Sequence, residues 1–219
     1  MTAISPPERQ EAGALSAPRA ITLAAGGGLA AGALAQLLSQ AGGAVRALGA
    51  GTAIWVTIGL ALAMLIARGW RGRDRTAWAC AAAGVYLLAW LLAYHALYAL
   101  LDQPPLVGVW REAQHFVATV APACLVLGFI ATRALREGRL GDVCLALPLG
   151  WSLAETLYAA QRGPGIALVV GVPTILVALL PLLLVRDRRK RASTLVLGAA
   201  ASTAVVYLLF SPVLGILNR

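Results

Sequence analysis

The chain has 219 residues, 60% of them hydrophobic and only 12% charged, with a formal net charge of +9 at pH 7. An ordinary soluble domain carries about 25% charged residues, so the charges here are too few to cover a water-facing surface. The basic residues sit in short connections and not along one face, which excludes nucleic acid as the partner that a positive balance would otherwise bring to mind. Several apolar stretches run for about 18 residues or more, long enough to cross a bilayer core as helix. The expected fold is all-α, a polytopic transmembrane bundle of about seven helices with the lipid bilayer as its surroundings. Barrel strands would alternate apolar and polar residues, and stretches such as Ile166 to Val185 do not.

Residues 1–19 hold Pro6, Pro7, Pro18, Glu8 and Glu11, which predicts a disordered cytoplasmic tail and not the basic start of a secretory signal. Residues 20–219 are expected to form a single transmembrane domain, and its first span, 20–40, is rich in Gly and Ala and is expected to be the weakest of the seven. Gly28 and Gly32 in it form a G-x-x-x-G pair that lets another helix approach closely, either within the chain or across a homodimer seam. Gln36 lies near its far end. The second span covers 48–67. The third, 77–101, carries Tyr94, His95 and Tyr98 and stops at the breaker cluster Asp102-Gln103-Pro104-Pro105.

A loop with Trp110, Arg111 and Glu112 leads to the fourth span, 114–132, which starts near His115. The fifth, 142–161, holds Glu155 and Tyr158, and Gly163-Pro164-Gly165 turns the chain into the sixth, 165–185. Pro173 and Pro181 remove two intrahelical hydrogen bonds there and should kink it. The basic run Arg186 to Arg191 then connects to the seventh span, 193–215. So close to the membrane, this run is explained by topology and lipid phosphate. The cysteines, Cys80, Cys124 and Cys144, all lie in apolar stretches without C-x-x-C spacing and read as small buried residues.

Positive connections stay on the cytoplasmic side. With seven spans, the tail and the second, fourth and sixth connections share one side and carry fourteen Lys and Arg, against four on the other: Arg46, Arg111, Arg162 and Arg219. The N-terminus is therefore expected inside and the C-terminus outside, in the plasma (inner) membrane.

An ionisable side chain inside hydrocarbon is expensive to keep there and marks a functional candidate. Glu155 and His95 are two such residues, both roughly 9–11 Å below the expected outer boundary at 1.5 Å rise per residue, a depth at which they can pair. Tyr94, Tyr98, Tyr158, Gln36 and His115 occupy the same half of the bundle. Two readings stay open: a ligand or proton-relay pocket facing outward, or structural glue beneath an interfacial aromatic belt. No ligand motif links the two histidines, so no metal is expected. H-E-x-x-H and the phosphate-cradling G-x-x-x-x-G-K-[ST] are both absent, and so is any cofactor motif. Gly150-Trp151-Ser152-Leu153 matches a rhomboid G-x-S-x only superficially, because both histidines precede that serine. No motif identifies an enzyme, and a membrane enzyme with Glu155 and His95 as acid and base is the weakest of the readings.

Taken with Trp55, Ala93-Tyr94 and Glu155-Thr156-Leu157-Tyr158, the Gly28, Gly32 and Gln36 series resembles an uncharacterised family of multi-pass membrane proteins of high-GC bacteria. Ala93-Tyr94-His95 stands where that family has Gly-Tyr-Tyr. The resemblance implies a membrane bundle and no particular activity. Two functions compete: binding or transport of a small solute through an outward-facing polar pocket, and a scaffold or accessory subunit organising a membrane protein partner or a homo-oligomer through the Gly28/Gly32 face.

Overall fold

The computed structural model describes residues 15–185, 192, 195–204 and 208, apart from the side chain of Glu112. Every regular element among the described residues is helical: α1 (Ala17–Gln40), α2 (Gly43–Ala50), α3 (Ala53–Ala67), α4 (Gly72–Asp102), α5 (Leu106–Ala134), α6 (Arg139–Ala160), α7 (Pro164–Ala178), α8 (Leu180–Leu183) and α9 (Leu195–Ala204). Five helical segments are long and apolar enough to cross a membrane, and α2 with α3 forms a sixth if that bent pair is one span. The expected seventh span, 193–215, lies largely outside the described residues, as do residues 1–14 of the tail.

Local chemistry sets the helix ends. Pro18 occupies the first turn of α1, where a missing N–H removes nothing. At the end of α4, Gln103 adopts φ 46°, the left-handed conformation that ends a helix, and Pro104 and Pro105 follow it. Gly163, at φ 135°, turns the chain from α6 into Pro164 of α7. Both expected breaker clusters are thus turns. The helix after Pro105 starts earlier than hydropathy places it, at Leu106, so Trp110 and Arg111 lie within α5 and not in a loop. Apolar windows miss such a start because the opening turns are mixed in polarity and outward-facing, with Leu106 and Trp110 exposed. The sixth span is interrupted just before Pro181, where α7 ends at Ala178 and α8 restarts at Leu180, whereas Pro173 stays inside α7.

Packing relies on small residues, as expected where lipid removes the hydrophobic drive between helices. One cluster of buried residues joins Ala20 and Ala24 of α1 to Ala63, Met64 and Ala67 of α3, Ala79 and Ala83 of α4, and Ala131 and Ala134 of α5. Nearer the other end, Ala31, Ala35, Ile54, Trp55 and Tyr86 form a second. α4 packs most heavily on α1 and α5, and α3 is enclosed by α1, α4, α5, α6 and α7. A Cβ on Gly28 would strike the Tyr86 carbonyl and lie 2.8 Å from Ala89 Cβ; one on Gly32 would strike the Trp90 carbonyl. The G-x-x-x-G face therefore receives α4 of the same chain. Between α4 and α5, Cys80 fills the space above Gly128 while Cys124 lies against Gly84. These cysteines act as small packing residues, and Cys144 is buried.

Connections place Arg68, Arg71, Arg73, Arg75, Arg133, Arg136 and Arg139 at one end of the bundle, among the ends of α3, α4, α5 and α6. The opposite end carries the C-termini of α1, α4 and α6. There Gln40 Nε2 donates to Asp102 Oδ2 at 2.7 Å and fixes the ends of α1 and α4 side by side.

Candidate functional site

The second expected span is not one helix. α3 has 15 residues, about 22 Å at 1.5 Å per residue, which falls short of a hydrocarbon core of about 30 Å. The eight-residue α2 precedes it at an angle of 41°. The break lies at Gly51-Thr52 in the sequence Gly49-Ala50-Gly51-Thr52, where two glycines weaken the helix and Thr52 takes the N-cap position of α3 without a side-chain cap hydrogen bond. Away from water a break exposes backbone N–H groups that require acceptors.

Glu155 of α6 supplies that acceptor. Its Oε1 receives the Thr52 N–H at 2.7 Å, the Thr52 hydroxyl at 2.6 Å and the Ala53 N–H at 2.9 Å. A carboxylate at the positive end of a helix is favourable for both hydrogen bonding and dipole, and each charge-assisted bond contributes about 1.5–3 kcal/mol. The other oxygen is different. Glu155 Oε2 is buried and has no hydrogen-bond partner among the described residues. It faces Gly51, whose absent Cβ leaves a space 3.0 Å from Oε2, 3.4 Å from the Ala47 carbonyl oxygen and 3.5 Å from that of Leu48.

Aromatic side chains brace the break. Trp55 Nε1 donates to the Gly49 carbonyl at 3.2 Å, bridging the end of α2 and the first turn of α3, and the Tyr86 hydroxyl of α4 donates to the Trp55 carbonyl at 2.8 Å. Both rings are buried. Tyr86→Phe should lower stability by about 0.5–1.5 kcal/mol, the usual net worth of one such bond. A thermal melt in detergent would register the drop, and an unchanged midpoint would show the bond to be idle.

The remaining candidates fall into separate groups. His95 is buried, with its ring edge-on to Tyr94 at 5.3 Å and tilted toward Phe116 of α5 at 6.1 Å. Tyr94 stacks on Trp90 at 5.2 Å, and Trp90 Nε1 is a buried donor without an acceptor among the described residues. Tyr98, one turn beyond Tyr94, is half-buried. Gln36 is fully buried on α1 and receives the Ser39 hydroxyl on Oε1 at 3.0 Å. Tyr158 accepts from Arg162 at 2.9 Å and lies under its guanidinium. His115 is exposed on α5.

Equal depth alone does not join Glu155 to His95. They sit on α6 and α4, which share no extensive packing, and Glu155 is engaged by Thr52 and Ala53 instead. The residues missed in the sequence are Gly51, Thr52 and Ala53. The available signal was a glycine pair followed by threonine inside an apolar stretch, the pattern of a helix stop followed by a helix start.

Comparison with protein-family models, with curated proteins and with solved structures yields no match.

Proposed function

We propose that this chain is a multi-pass protein of the plasma membrane, with about seven spans, its N-terminus inside and its C-terminus outside, that binds or transports a small solute through a polar region open to the outer face. One observation carries the reading: an apolar helical pair broken at Gly51-Thr52, with a glutamate that meets the break through one oxygen and keeps the other uncommitted. Discontinuous helices in membranes are tolerated where they are enclosed by protein or line a cavity, and transporters place binding sites at such breaks. The arginine-rich end supports the orientation by the positive-inside rule. Kinship with the multi-pass family of high-GC bacteria belongs to the same proposal, carried by Gly28, Gly32, Gln36, Trp55 and Glu155.

The competing scaffold reading drew on Gly28 and Gly32, whose face is filled by α4. A partner helix would have to use another surface.

The test is labelling from outside of single cysteines placed at Gln103, Arg139 and Thr52 in a background with Cys80, Cys124 and Cys144 replaced. Position 103 should react with a small membrane-impermeant thiol reagent in intact cells and position 139 only after permeabilisation. Reaction at position 52, which is exposed at the break, would establish a water path to Glu155. Protection of position 52 under all conditions in a folded protein would remove the pocket, and reaction at 139 in intact cells would invert the topology.

A further inference from the structure

The two oxygens of Glu155 occupy opposite electrostatic environments. Oε1 meets the N-terminus of α3, where the exposed N–H groups carry positive partial charge. Oε2 faces the last turn of α2, where the carbonyls of Ala47, which accepts the Gly51 N–H at 3.0 Å on one lone pair, and of Leu48 present negative partial charge. An ionised carboxylate oxygen without a donor, buried beside helix C-terminal carbonyls, is repelled unless something positive lies between them. Gly51 leaves the room, since a side chain there would start 3.0 Å from Oε2 and 3.4–3.5 Å from both carbonyl oxygens. Thr52 is exposed, so the approach to the break is short.

We propose that the α2–α3 break holds a small monovalent metal cation, bound by Glu155 Oε2 and the carbonyl oxygens of Ala47 and Leu48. One carboxylate and two carbonyls form an all-oxygen set of single negative charge. Such a set suits sodium or potassium over a transition metal, which prefers nitrogen or sulfur ligands. The inference rests on the solute-binding reading and gives it a coupling ion: by joining Glu155 to both half-helices, the ion holds the break in the geometry described here. Half-helix ends used in this way are how membrane transporters take up both ions and substrates.

The probe is the cation alone, with no solute present, so that failure here is separable from failure of the solute pocket. The full-length protein in detergent or nanodiscs is melted while N-methyl-D-glucamine is replaced by sodium or potassium at fixed ionic strength and pH. One of the two should raise the midpoint saturably, by about 3–6 °C at tenfold excess over the dissociation constant. Glu155→Gln should abolish this response without falling below the cation-free wild type, because the amide oxygen still caps α3 and the amide NH2 donates toward the α2 carbonyls. Gly51→Ala, which fills the space but leaves Oε1 in place, should weaken cation affinity at least tenfold. No response to either cation in a folded wild type overturns the proposal. So does a midpoint that follows pH alone, which would make the occupant of Oε2 a proton, or a saturable response retained in Glu155→Gln.

Discussion

Replacing Gly32 by leucine should prevent α1 from seating on α4. The added side chain would begin where the Trp90 carbonyl already lies, with the Trp90 carbonyl carbon 2.9 Å away and its Cα 3.0 Å away. Backbone cannot swing aside as a flexible side chain can, so the two helices must separate along their most extensive contact. Overpacking in a tight core costs about 1–3 kcal/mol and more where the obstacle is rigid, and Gly28→Leu meets a second carbonyl, that of Tyr86, one turn earlier. Either variant should lower the melting midpoint in detergent by more than about 5 °C, by the size scaling of folded chains. Gly26→Ala is the matched control, because nothing lies within 4 Å of the position its methyl would take. Equal behaviour of the Gly26 and Gly32 variants would contradict the α1–α4 interface. A change of oligomeric state with unaltered stability would return the G-x-x-x-G face to an intermolecular role.

Glu155→Ala should be the most damaging change at the polar site. It strips the Thr52 N–H, the Thr52 hydroxyl and the Ala53 N–H of their shared acceptor. Buried donors left without an acceptor are destabilising by about 1–3 kcal/mol each, and with Thr52 itself exposed the lower part of that range applies to its groups. A total of roughly 2–4 kcal/mol is expected. Glu155→Gln keeps an acceptor and should melt no lower than the cation-free wild type, so comparing the two variants without cation separates hydrogen bonding from charge. A similar midpoint for both would assign the stabilisation to charge alone.

Much of the bundle was legible because its signal is local. Apolar length located α1, α4, α6 and the α7–α8 segment to within a few residues, and Gln103-Pro104-Pro105 and Gly163-Pro164 ended helices by conformations set by the residues themselves. The Gly- and Ala-rich α1, expected to be the weakest span, is a 24-residue helix seated closely on α4, and α6 is in fact the less apolar of the two. Three features did not follow from local pattern. The break at Gly51-Thr52 interrupts a stretch whose hydropathy is unbroken, and it is sustained by a residue 103 positions away, Glu155. The opening turns of α5 include Arg111 and Trp110, which a hydropathy window assigns to a loop.

The partner of Glu155 was open for the third reason: depth along a helix fixes height in the bundle, but azimuth and helix adjacency decide which side chains meet. Counting along the helices puts His95 and Glu155 at similar expected heights, but it is α3 that lies with its N-terminus beside Glu155. Intramembrane acids are sound markers of a site, while their partners belong to the tertiary arrangement. The same distinction explains Gly28 and Gly32: the motif announces close approach, and only the fold says that the approaching helix is α4.

Glu155 closes the break between α2 and α3, and a double-mutant cycle between Glu155→Ala and Thr52→Val measures that contact directly. In the wild type, Thr52→Val removes a 2.6 Å hydroxyl–carboxylate hydrogen bond; in the Glu155→Ala background it removes nothing. Reversible unfolding of the four proteins in mixed micelles should give a coupling of about 1–2 kcal/mol, near the lower part of the range for a bond to a charged group. Coupling of that size places the carboxylate on the α3 N-terminus. Additive effects, agreeing within about 0.3 kcal/mol, would contradict it and leave the break without the acceptor on which the proposed site is built.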